Sequence, residues 1–86
     1  MERITGPHLG YYVASYACET GEAGERYLGY AKICRRRPES YWDANCVVKI
    51  CGERSHASPA AAIDDVEALA RHHLRNISRQ PDAATA

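Results

Sequence analysis

SPAAAIDDVEALARHHLRNI, residues 58–77, is the stretch on which the fold turns. Ser58 is a favoured N-cap and Pro59 suits the first helical position. Ala62, Ile63, Val66, Leu69, Ala70, His73, Leu74 and Ile77 share one stripe at about 100° per residue. Asp64, Asp65 and Glu67 come early while Arg71, His72, Arg75 and Arg79 come late, an order that complements the helix dipole. Pro81 stops the helix, leaving residues 81–86 as a disordered tail.

Working back from that helix, the chain reads as strands. Residues 41–51 form the clearest one, with β-branched Val47, Val48 and Ile50 bounded by Gly52. Residues 26–36 and 9–19 are the other two, separated by a glycine-marked turn at 20–25 and a second turn at 37–40. Residues 1–8 read as a flexible lead-in. The predicted fold is α+β: a three-stranded antiparallel β-β-β meander with one C-terminal α-helix on one face, a single domain over residues 9–80.

Alternation along the strands assigns the faces. Trp42, Ala44, Cys46, Val48 and Ile50 are the apolar set of the last strand and are expected to meet the helix. A short hairpin around Pro38 then sets Ile33 opposite Ala44, Ala31 opposite Cys46, Gly29 opposite Val48 and Tyr27 opposite Ile50. Gly29 and Ala31 leave room for the helix to come close. A four-residue turn at 21–24 puts Tyr12, Ala14, Tyr16 and Cys18 on the helix face, although a slip of one residue would exchange the two sets.

One helix covers one side of such a sheet. The uncovered side is expected to carry Tyr11, Val13, Leu28, Tyr30, Lys32, Val47 and Lys49, a mixed apolar and tyrosine surface of the kind that marks an interaction site. Charge is polarised: Glu19, Glu22 and Glu25 lie at one turn, and Arg35, Arg36 and Arg37 at the other. Arg71, Arg75 and Arg79 add an exposed ridge on the helix. The leading expectation is a protein-interaction or self-association module using the uncovered face. The alternative is nucleic-acid binding through that face and the Arg35, Arg36, Arg37 turn.

The rest of the composition narrows the classes. Eleven basic residues cancel eleven acidic ones, against a dedicated nucleic-acid coat or a polybasic membrane anchor. Val, Ile and Leu are few and Phe is absent, so the core is thin and rests partly on six Tyr and Trp42. No apolar run approaches a membrane span, and the first residues lack a signal-peptide core, so a cytoplasmic location is expected. Cys18, Cys34, Cys46 and Cys51 show no C-x-x-C spacing, and parity separates Cys46 from Cys34, which implies reduced thiols and neither zinc site nor disulfide. His72 and His73 diverge on a helix and do not form a ligand pair. His56 beside the capped helix start is a weak anion-site candidate, and Cys51 with His56 a weak nucleophile–base pair. No catalytic role, metal or cofactor is expected.

Overall fold

Four strands precede one helix: β1 (Glu2–His8), β2 (Tyr11–Thr20), β3 (Arg26–Cys34), β4 (Cys46–Cys51) and α1 (Pro59–Arg79). The computed structural model describes residues 1–21, 24–43 and 45–79, with side chains as far as residue 77. Glu22, Ala44, the Arg79 side chain and the tail at 81–86, all invoked above, lie outside the described residues. The sheet is antiparallel in the order β1-β2-β3-β4. Among the described residues no helix is long and apolar enough to cross a membrane.

The sheet thus has four strands, not three, because residues 2–8 pair with β2 instead of leading in to it. Leu9 and Gly10 both adopt positive φ, 53° and 85°, and close a two-residue hairpin between His8 and Tyr11. Such primed turns match the strand twist. Leu is an uncommon residue at positive φ, so the usual Asn-Gly or Asp-Gly signal is missing. Pro7 also reads as a strand breaker, yet β1 is an edge strand, where a missing N–H is tolerated. The ladder is irregular between Thr5 and His8.

The β2–β3 connection overturns the expected faces. Thr20 pairs with Arg26, so five residues separate the paired positions, one more than expected. Tyr16 therefore opposes Tyr30 and Ala17 opposes Gly29. That single-residue slip turns Tyr11 and Val13, expected on the uncovered side, toward the helix. Val13 is fully buried against Ile33, Val66 and Leu74, and Tyr11 packs on the same cluster. Tyr12, Ala14, Tyr16 and Cys18 move to the opposite face.

Between β3 and β4 the register also differs, without changing faces. Ala31 opposes Ile50 and Ile33 opposes Val48, a shift of four positions along β4 from the expected pairing. An even shift keeps Val48 and Ile50 under the helix, where both pack on the core. Tyr27 bridges to His56, not to Ile50. The strand begins at Cys46, so Tyr41 and Trp42 leave the sheet and belong to the connecting loop.

Helix α1 lies over β2 and β3. Ser58 caps it, its Oγ accepting from the Ala61 N–H at 3.1 Å. Gly29 allows the close approach. A Cβ there would collide with the Ala62 carbonyl and come within 2.9 Å of Val66 Cβ. Arg3 of β1 reaches under the helix to Asp64 at 2.8 Å and Glu67 at 2.9 Å. Those hydrogen bonds, with Asp64 first, raise the guanidinium above its ordinary value. Glu67 is buried and also accepts from Arg71 at 3.2 Å, so its charge is paired twice.

Candidate functional site on the sheet face opposite the helix

Lys32 and Lys49 are cross-strand partners on the face away from the helix, with Tyr30 and Cys51 as the next pair. Tyr16 lies beside Tyr30 on β2. Leu28, Tyr30, Lys32 and Lys49 thus occupy the expected side, while Tyr11 and Val13 do not. Val47 is 48% exposed and sits where the β3–β4 register shifts.

The face is not bare. The connection after β3 folds back over it and presses Tyr41 onto the sheet. Tyr41 is 3% exposed. Its ring stacks on Tyr16 with centroids 5.5 Å apart, and Lys32 Nζ lies 4.3 Å from its centroid. Its backbone is tied on both sides: its N–H donates to Glu2 Oε2 at 3.3 Å, and its carbonyl accepts from Lys32 Nζ at 2.9 Å. Burial pushes the Tyr41 hydroxyl pKa up.

Trp42 is the residue the sequence placed on the wrong side. It was expected in the last strand, facing the helix. Instead it stands edge-on to Tyr16 at 5.0 Å and to Tyr41 at 5.1 Å, and remains 67% exposed. A shallow depression of about 350 Å3 runs from this aromatic group past Tyr30 to Lys49. The signal for it was Tyr41-Trp42 itself: two large aromatics directly after a Pro-Glu-Ser turn read equally well as the start of a strand.

The adjoining edge is open. Gly52 N–H donates to Gly29 O at 2.8 Å. Ladder bonds alternate, so Ile50 and Val48 also bond inward, and Lys49 and Cys51 turn their N–H and C=O groups outward. No strand covers that side of β4 among the described residues. At the same end as the loop, Arg35, Arg36 and Arg37 are exposed and form no ion pair among the described residues. With Pro38, Asp43, Asn45, Cys46 and Val47 they line a groove of about 380 Å3.

The remaining candidates are engaged elsewhere. Arg71 pairs with Glu67, and its guanidinium lies 3.5 Å from His8 Nε2. Arg75 is exposed. His56 Nε2 meets Asp65 Oδ2 at 3.0 Å, which ties the loop before α1 to the helix and occupies the imidazole considered for an anion. Cys51 Sγ contacts Gly52 O at 3.5 Å. Cys34 and Cys46, expected on opposite faces, are direct cross-strand partners, because the ladder shifts register between Ile33 and Cys34. No protein-family model, curated protein or solved structure matches the chain.

Proposed function

We propose that the protein is a protein-interaction module that takes an extended, acidic segment of a partner along the open edge of β4, with Trp42, across the depression past Tyr30 and Lys49, as the anchor. The observation that carries this reading is the exposed Trp42, held in place by two tyrosines. An indole left in water while its neighbour Tyr41 is buried costs solvation and contributes little to the fold; rigid Trp and Tyr are what dominate binding at protein interfaces. Outward N–H and C=O groups at Lys49 and Cys51 suit strand addition. Lys49 and the three arginines of the adjoining loop favour negative side chains on the incoming strand.

A second copy fits this edge less well. Antiparallel pairing about a two-fold axis at Lys49 would set the two Lys49 side chains opposite one another, and like charges across a ladder repel. Nucleic acid is the second reading, favoured by the same lysines, arginines and stacking surface.

Trp42 is the only tryptophan, so its emission reports on the site directly. Titration with an extended Val-Glu repeat peptide should shift that emission, whereas a Val-Lys repeat should not. Lys49→Pro, which removes only an outward N–H and one charge, should abolish the response while leaving the circular dichroism spectrum unchanged. A response to oligothymidylate that collapses with salt, depends on Arg36 and survives Lys49→Pro would move the assignment to nucleic acid. A concentration-dependent shift without any peptide, matched by a doubled mass in light scattering, would make the occupant a second copy.

A further inference from the structure

Cys34 ends β3, Cys46 opens β4, and the two are Cα partners across the ladder. Residues opposed in a regular antiparallel ladder have Cα atoms about 4.5–5.5 Å apart, inside the roughly 4.4–6.8 Å that a disulfide spans, and this pair stands just past the shift in register at Ile33. The other two cysteines have no such partner: Cys18 opposes Leu28 and Cys51 opposes Tyr30.

The two thiols differ in access. Cys34 is 1% exposed, whereas Cys46 is open to solvent and lines the groove formed with Arg35, Arg36 and Arg37. Three exposed guanidinium groups at consecutive positions bind carboxylates well, and they concentrate anions around Cys46 in that groove. An accessible thiol in a basic groove, directly across from a buried thiol, has the layout of an attacking and a resolving cysteine.

We propose that Cys46 is a thiolation site for anionic low-molecular-weight disulfides of the glutathione type, and that Cys34 resolves the adduct into a Cys34–Cys46 disulfide. This modification site adjoins the peptide edge and shares its arginines, but it rests on the cysteine pair and not on that reading. The Cys46 thiolate attacks one sulfur of the small disulfide. That S–S bond breaks, and the departing thiolate takes up the proton that Cys46 gave to solvent. Cys34 then gives up its proton as its sulfur attacks the Cys46 sulfur, the bond from Cys46 to the small thiol breaks, and the departing second thiolate takes up a proton in its place. Two protein thiols are oxidised and one small disulfide is reduced to two thiols. Burial shuts Cys34 off from bulk disulfide, so the sulfur that Cys46 presents across the ladder is the one within its reach.

The test is to treat the reduced full chain with glutathione disulfide and read intact mass and non-reduced peptide maps. The expected product has lost two hydrogens and carries a Cys34–Cys46 link. Cys34→Ser should stop at one glutathionyl group on Cys46. Arg36→Glu, at an exposed position, should slow the reaction roughly tenfold or more at low salt while leaving the rate with uncharged 2-hydroxyethyl disulfide unchanged. The assignment fails if Cys18 or Cys51 is modified before Cys46. It fails equally if wild-type Cys46 keeps its adduct without linking to Cys34, or if Arg36→Glu slows both disulfides alike.

Discussion

Ile33 and Tyr41 are both almost fully buried, on opposite sides of the same sheet, and they are buried by different means. Ile33 sits under a 21-residue helix that presents Val66, Ala70 and Leu74 to it. Tyr41 is its own cover: a loop residue laid flat on Tyr16 and pinned through its backbone by Glu2 and Lys32. The helix side is closed by aliphatic packing over β2 and β3. The loop side is closed at one end only, and beyond it Trp42 and Lys49 are exposed. Stability is concentrated on the first side, and the proposed function puts recognition on the second.

Substitutions on the two sides should therefore separate folding from binding. Ile33→Ala should cost the most, about 3–4 kcal/mol, since it opens a cavity beneath the helix. Urea unfolding monitored by circular dichroism would measure it. Tyr41→Ala should cost less, about 2–3 kcal/mol, and should also weaken peptide binding by releasing the loop that carries Trp42. Equal losses from the two would mean that the loop is as much a part of the core as the helix.

Arg3→Ala should remove about 1 kcal/mol, more than an ordinary surface pair because Glu67 is buried beside it. Trp42→Ala should be the smallest in stability, within about 0.5 kcal/mol, yet it should eliminate binding of the acidic peptide. A large loss of stability from Trp42→Ala would collapse the distinction between the two sides.

Alkaline pH gives a finer test. The raised pKa of Tyr41 means that its phenol ionises more easily in the unfolded chain than in the folded one. Its contribution to stability is complete below the ordinary tyrosine value of about 10 and is lost as pH rises through the higher folded value. Thermal melts above about pH 10 should fall with pH in the wild type. Tyr41→Phe should flatten that fall.

Much of the helix side was legible in the sequence. Helical spacing, the Ser58 cap and the Gly29 gap all act over short distances, and each reappears in α1 or beneath it. The face of β4 was legible too, because its alternation survives an even shift of register. β1 was hidden by a turn whose first residue is Leu and by a proline that an edge strand tolerates. The faces of β2 depended on whether four or five residues form one turn, a difference local composition does not encode.

The candidate site was harder. Its lysines, Leu28 and Tyr30 follow from strand parity, but Trp42 and the Cys34–Cys46 pair do not, because both depend on where the long β3–β4 loop ends and β4 begins. The sequence by itself determined an amphipathic helix at the C-terminal side, antiparallel strands before it, and an arginine-rich turn opposite an acidic one, since these rest on neighbours in the chain. Only the tertiary structure decided how many strands there are, which face of β2 is buried, and that Tyr41 and Trp42 lie across the sheet. A one-residue change in a turn moves every side chain beyond it to the other face, and the energy that selects among such registers comes from contacts between residues far apart in sequence.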